Sequence, residues 1–521
     1  MDPLKRNHEI VGAGLSRNYS VRPRKHRGIE PLLQKIVPIV AAFTIWLLNS
    51  EVILAQRPNI VFVLGDDHAW EAVSAYGTYL KDYAKTPAID SLGEEGMRFD
   101  NFVCANSICS PSRASFITGQ YSHINGVKGL NGTINDSSPW LSEEFQKAGY
   151  ETLLVGKWHL QGDIRGFDKH MTVKGQGRYF NPTFNGSEGT WKRTGYSTDI
   201  YTDIALEWLE KRDESKPFYL ALQFKAPHHD FGHAPRYDSL LANITVPEPP
   251  TLYEDTHNSN SKLKRMFMEQ TKFHMTRGFN RDQPEGYYDR HINDSEPNHM
   301  WDHDPKDDKD KIRVAYQHMM HKYIRCIQGN DDNLKRVLDF LDSENLVDET
   351  IVIYTSDQGY WLGQHGMYDK RLIFETSIRM PFLIRYPKLI KPGSVNQSIC
   401  LNVDLAPTLL DTVGLEKPRT MQGHSFAGML TGEPEPATWR KSSLYTYWSA
   451  GPKHYGIRTN RYTYFKIDEH IELFDRLRDP EQLNDLSSLP EYKFALADLE
   501  KKLQNQIQET ALTKSHWPSN N

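Results

Sequence analysis

The feature that most constrains this 521-residue chain is the run Asn59–Leu64, NIVFVL, which passes directly into Gly65-Asp66-Asp67-His68. A continuous β-branched apolar run has no polar face, so it reads as a strand buried on both sides, the pattern of a parallel sheet covered by helices. Similar runs recur at Thr152–Val155, Pro217–Phe224, Thr350–Tyr354 and Pro381–Arg385. Helical patterns lie between them: Ile204, Ala205, Trp208 and Leu209 share one face, as do Leu334, Val337, Leu338 and Leu341. A further helix is expected over Asp404–Val413, stopped by Gly414. Strands alternating with helices predict an α/β fold with a large, mostly parallel central sheet and helices on both faces.

Three departures from this rhythm divide the chain. Residues 1–35 carry eight Lys/Arg against three acids, followed by an apolar run from Ile36 to Leu48 and a small residue at Ala55. That order describes a secretory signal over residues 1–55, with an uncleaved N-terminal anchor as the alternative. Either way, the rest of the chain is expected to be exported, periplasmic or extracellular, and to meet a membrane only if the segment stays attached. The stretch 245–311 is polar and reads as an insertion, either a binding loop or a solvated one. From about Trp439 the pieces Ser443–Trp448, Tyr455–Arg458 and Tyr462–Lys466 look like strands and Tyr492–Ile507 like a helix. We therefore expect a catalytic domain over 56–438 and a small α+β subdomain with an antiparallel sheet over 439–521. The net charge is −5 and becomes more negative without the basic leader, which argues against nucleic-acid binding. Cys104, Cys109, Cys326 and Cys400 have neither the spacing of a zinc site nor the density of a disulfide scaffold, although one disulfide remains open.

Chemistry is expected where strands end, because open parallel sheets bind ligands beyond their carboxyl edges. Asp66 and Asp67 end one strand, and Asp357-Gln358 follow another. Clustered carboxylates with an amide form an oxygen donor set, suited to a hard cation, Ca²⁺ ahead of Mg²⁺. Between them in sequence lies Cys109-Ser110-Pro111-Ser112-Arg113, continued to Thr118-Gly119.

This run, with its downstream Thr-Gly, resembles the signature of the type I, formylglycine-dependent sulfatases of the alkaline phosphatase-like superfamily. Gly156-Lys157-Trp158-His159-Leu160, Pro227-His228 and Asp369-Lys370-Arg371 resemble further segments of that family, in the same order. The resemblance implies that a maturation enzyme oxidises Cys109 to an aldehyde whose hydrate is the nucleophile. It implies that Asp66, Asp67, Asp357, Gln358 and residue 109 hold one Ca²⁺, and that Arg113, Lys157 and Lys370 clamp the sulfate. His228 would then protonate the leaving oxygen, with His159 as the base that lets the hydrate collapse and expel sulfate. Many family members have Asn at the position of Gln358, so a longer amide arm must be accommodated here.

A sulfated carbohydrate is the expected substrate, since Tyr179, Phe180, Trp191, Tyr196 and Trp448 offer faces for sugar rings or, equally, packing. The segment His454–Thr459 is similar to carbohydrate sulfatases, including those acting on N-acetylglucosamine 6-sulfate. Two alternatives stand beside this reading: a formylglycine-dependent phosphodiester or phosphonate hydrolase, and a non-catalytic glycan-binding relative.

Overall fold

The computed structural model describes residues 57–276, 285–292 and 305–520. The expected leader lies outside them, as does part of the 245–311 stretch. Ten strands form the main sheet: β1 (Asn59–Asp66), β2 (Met97–Phe99), β3 (Glu151–Lys157), β4 (Lys169–Val173), β5 (Thr183–Gly186), β6 (Gly189–Lys192), β7 (Phe218–Pro227), β8 (Thr350–Ser356), β9 (Phe382–Arg385) and β10 (Ser394–Asn396). Their spatial order is β10-β2-β9-β8-β1-β7-β3-β4-β5-β6. The five central strands β8-β1-β7-β3-β4 run parallel. β9 does not join them: the strand expected at 381–385 pairs with β8 antiparallel.

Every residue of β1 is buried, as its unbroken apolar run requires. Successive side chains point to opposite faces, so Ile60, Phe62 and Leu64 enter one core while Val61 and Val63 enter another. The first core receives α1 (Cys109–Thr118), and the second receives α2 (Ser197–Leu209) and the C-terminal half of α3 (Asp308–Ser343). Both faces of the sheet are therefore covered by helices.

α3 is far longer than its Leu334–Leu341 stripe suggested. Asp307 caps it by accepting from the amide of Asp310, and its polar side chains are used internally. Asn330 donates to the carbonyl of Ala226, and Asp331 accepts from the amides of Ala88 and Ile89. Within the polar stretch, Lys262–Gln270 is also a helix, with Leu263 and Phe267 fully buried. Its Ser261 hydroxyl and Leu263 amide both bond Glu472. That part of the stretch is packed structure, not solvated loop.

The C-terminal sheet has four antiparallel strands, β11 (Ser442–Tyr447), β12 (His454–Thr459), β13 (Tyr462–Ile467) and β14 (His470–Asp475), with α4 (Lys493–Glu509) following. β14 had no separate signal in the sequence reading. The sheet is fastened to the main body by a buried ion cluster. Arg458 of β12 and Arg476 grip Glu375 at 2.6 Å and 3.0 Å. These charges hold Glu375 well below the usual carboxylate range, outweighing the opposing effect of burial.

Removing one partner of a buried pair strands the other's charge, so Glu375→Ala is expected to cost about 3–5 kcal/mol at pH 7. Because the folded-state pKa is depressed, the Glu375 contribution is present above about pH 4.3 and fades as pH falls below it. Urea unfolding of wild type and variant at pH 7 and in acid checks this. Equal midpoints at pH 7 would refute it.

Candidate active site

Strand pairing alone brings the two acidic strand ends together. Gly65 of β1 sits opposite Ser356 of β8, so Asp66-Asp67 and Asp357-Gln358 leave the sheet side by side. The amide of Asp67 donates to Asp357 Oδ1 at 3.1 Å. Asp67 turns out of the strand with φ 68°, a left-handed conformation costly for a non-glycine residue. α3 holds that turn: Tyr323 donates to the carbonyl of Asp67 at 2.6 Å and accepts from the amide of Ala69 at 2.8 Å.

Cys109 is the first residue of α1, placing its thiol at a helix N-terminus beside this edge. Its Sγ lies 3.6 Å from Asp66 Oδ1 and 3.8 Å from Gln358 Nε2. One turn along, the Ser112 hydroxyl donates to the carbonyl of Asp357. Burial pushes the Cys109 thiol well up, against the pull of Lys157 and Lys370. A thiol that stays protonated is a poor nucleophile.

The cations arrive from three further places. Lys157, the last residue of β3, contacts Asp66 Oδ2 directly. Lys370 places its ammonium 2.6 Å from Asp67 Oδ2. Arg113 approaches from inside the protein: Nε donates to Asp357 Oδ2 at 3.0 Å, and Nη1 to Gln223 Oε1 at 2.8 Å and to the carbonyl of Lys157. Arg113 thus grips the carboxylates and the end of β3.

Asp66, Asp67 and Asp357 are all fully buried, and their oxygens lie close enough together to share one cation. Burial raises Asp67 to about 7, opposed by Lys370 and reinforced by Asp66 and Asp357. Asp357 rises to about 6 for similar reasons, burial first and then Asp66. Asp66 goes the other way, because Lys157, Arg113 and Lys370 outweigh its burial. Gln358 donates through Nε2 to Asp67 Oδ1, while its Oε1 is buried without a partner. An amide reversed about its last bond would add that oxygen to the donor set. The longer arm of Gln358 therefore fits the site.

His228 follows β7 and lies with Nε2 3.7 Å from Asp67 Oδ2. Its Nδ1 donates to the carbonyl of His229 at 2.5 Å, leaving Nε2 as the nitrogen that faces the site. Burial, His229, Lys157 and Lys370 all keep its ring neutral. His159 sits at φ 58°, its carbonyl accepting from Ser110 at 2.6 Å and its Nδ1 unbonded. Burial and the Lys157 charge likewise lower its pKa.

Several neighbours had been given no role in the sequence. His229 stacks on His228 with ring centroids 4.2 Å apart, and only the doubled His-His hinted at it. Asp369 and Arg371 flank Lys370, pair with each other at 2.5 Å, and both have positive φ, 86° and 102°. Lys225 sits in β7 just before His228. Of the aromatic residues, Tyr179 and Tyr196 are buried and stack on each other, Trp191 stacks on Phe184 at 4.6 Å, and Trp448 donates to the carbonyl of His516. Phe180 alone is exposed, at 40%. His454 is structural: it accepts from the amide of Ile373 and donates to the carbonyl of Pro452. All four cysteines are buried and unpaired.

Comparison with known proteins agrees with this geometry. The sulfatase family model matches residues 58–415, and a model described as the C-terminal region of N-sulphoglucosamine sulphohydrolase matches 363–509. The chain is 36% identical over 509 residues to an N-acetylglucosamine-6-O-sulfatase of Bacteroides thetaiotaomicron, covering 91% of this chain and 90% of that protein. It is 27% identical to the human N-acetylglucosamine-6-sulfatase, over 76% of this chain and 68% of that one. A solved structure of a protein in complex with its substrate D-glucosamine-2-N,6-O-disulfate superposes with a TM-score of 0.78 at 33% identity, covering 88% and 99% of the two chains. The phosphonate monoester hydrolase of Silicibacter pomeroyi shares the fold, with a TM-score of 0.70 at 20% identity over 87% and 96%. With the family model spanning most of its length and the relatives covering nearly all of it, the chain belongs to the sulfatase family and is an enzyme that hydrolyses sulfate esters.

Proposed function

We propose that this sulfatase is exported and removes the 6-O-sulfate from glucosamine or N-acetylglucosamine units of a sulfated glycan. In this reading Cys109, matured to formylglycine, works beside one Ca²⁺ held by Asp66, Asp67, Asp357, Gln358 and residue 109. The observation that carries it is the convergence of Cys109, three carboxylates, Gln358, Lys157 and Lys370 on one buried rim. The activities of the two related N-acetylglucosamine sulfatases and the substrate in the related complex support this sugar and this position.

When bound, the cation and the hydrated aldehyde at position 109 supply a charge sink and an oxygen nucleophile of lowered pKa. Everything else comes from the chain. Lys157 and Lys370 neutralise the sulfuryl oxygens, while Arg113 keeps Asp357 and the end of β3 in place. His228 has one free nitrogen, and its neutral state in the free site matches a residue that gains its proton when an anionic ester arrives. It then gives that proton to the departing sugar oxygen. His159, kept neutral by burial, is placed to accept a proton as the product leaves.

The metal reading has a pH signature. Asp67 and Asp357 have raised pKa values, so between about pH 4 and 7 the metal-free folded state holds protons that the unfolded chain has released. Stability of the metal-stripped protein must then fall as pH rises through that range. Added Ca²⁺ is expected to raise the melting temperature more at pH 7.5 than at pH 5, and the increment should be lost in Asp67→Asn. A Ca²⁺ increment independent of pH would contradict the assignment.

The activity is tested by sulfate release from N-acetylglucosamine 6-sulfate, an aryl sulfate and a phosphonate monoester, using protein from a host that makes formylglycine. We expect release from the sugar sulfate, none from Cys109→Ala, and a loss of about 10²–10⁴-fold in kcat for His228→Ala. That last loss should be smaller on the aryl sulfate, whose leaving group needs less protonation. Faster turnover of the phosphonate would overturn the reading.

A further inference from the structure

Lys225 is a buried charge with no counter-charge in contact with its ammonium. It lies in β7, is 5% exposed, and among the described residues makes no ion pair or hydrogen bond through its ammonium. Its Nζ instead rests 4.6 Å from the ring centroid of Tyr179. A cation over an aromatic face gains far less than the solvation it loses on burial. Burial accordingly lowers the Lys225 pKa to about 8, with Lys157 acting the same way and Asp66, Asp230 and Asp67 opposing. Nothing in the packing requires a lysine here, since a methionine would fill the same space without stranding a charge.

Its position is set by the end of β7. The pairing with β1 runs in step to Leu64–Gln223 and resumes at Asp66–Pro227, so β7 carries two extra residues across this bulge. Bulges beside active sites re-aim side chains. The same bulge presents His228, whose amide donates to the carbonyl of Lys225 at 3.1 Å. Tyr179, under the ammonium, donates its hydroxyl to the carbonyl of His228. Lys225 and His228 therefore share one wall, whereas Lys157 and Lys370 contact the carboxylates.

We infer that Lys225 forms a second anion subsite on the leaving-group side, receiving a sulfate or carboxylate that the substrate carries beyond the ester being cleaved. The inference rests on the proposed reaction, in which His228 faces the departing sugar oxygen. A doubly anionic sugar would supply the missing counter-charge, and a charge-assisted bond of this kind contributes about 1.5–3 kcal/mol.

The test is a ratio. For wild type, Lys225→Gln and Lys225→Arg, kcat/KM is measured on glucosamine 6-O-sulfate and on glucosamine-2-N,6-O-disulfate. A second pair is 6-sulfated N-acetylglucosamine linked to a uronic acid or to a neutral hexose. The preference for the doubly anionic member is expected to fall about 10- to 100-fold in Lys225→Gln, through KM, and to be retained in Lys225→Arg. The pair that responds identifies the anion as N-sulfate or uronate. An unchanged ratio in both pairs overturns the subsite, including the case where Lys225→Gln slows all four substrates alike. Wild type that cleaves none of the four would instead refute the proposed substrate class, and the subsite with it.

Discussion

Three carboxylates buried at one sheet edge are the constraint on which the site is built. Asp66, Asp67 and Asp357 are each fully excluded from solvent, and they meet because β1 and β8 are neighbours running in parallel. Like charges at such range in a low-dielectric interior do not coexist without compensation. Arg113 from within, Lys157 from β3 and Lys370 from the segment before β9 supply it. Each of these contacts ties a different part of the chain to the same buried rim, so the site acts as a structural junction as well as a chemical one.

That junction explains much of the surrounding architecture. The length of α3 is needed to reach from the second core, through Leu334 and Val337, to Tyr323 and the turn at Asp67. The C-terminal sheet grips the segment just after Lys370 twice, through Arg458 on Glu375 and through His454 on the amide of Ile373. His454, in the segment whose sequence resembles carbohydrate sulfatases, thus fastens the loop that carries Lys370. Positive φ angles at Asp67, His159, Asp369 and Arg371 gather around the same rim, where surrounding packing can hold strained backbone.

What could be read in advance follows from which physics leaves a trace in sequence. A strand buried on both faces must be apolar throughout, so β1, β3, β7 and β8 announce themselves, and their ends locate Asp66, Asp67, Lys157, His228 and Asp357. The Cys109 to Arg113 run was legible as a motif. Other features leave weaker traces. α3 is apolar on its inner face from Val314 through Met319, Tyr323 and Ile327 to Leu341, but the buried Asn330 and Asp331 interrupt that stripe, and only its C-terminal part was read as a helix. β9 is as apolar as its neighbours, and direction along the sheet is invisible to an apolar run. The interior role of Arg113 depends on the carboxylates it meets, which lie far off in sequence. Lys225 is harder still: a lysine in a strand ordinarily reads as solvent-facing, and only its burial beside Tyr179 shows otherwise.

The most direct test of the account is the metal content of the purified, Cys109-matured enzyme, measured by elemental analysis alongside the mass of the peptide that contains residue 109. The account predicts one calcium per chain, an aldehyde mass at residue 109, and loss of the calcium in Asp357→Asn. Two zinc ions per chain, or full activity with neither metal nor altered Cys109, would contradict it.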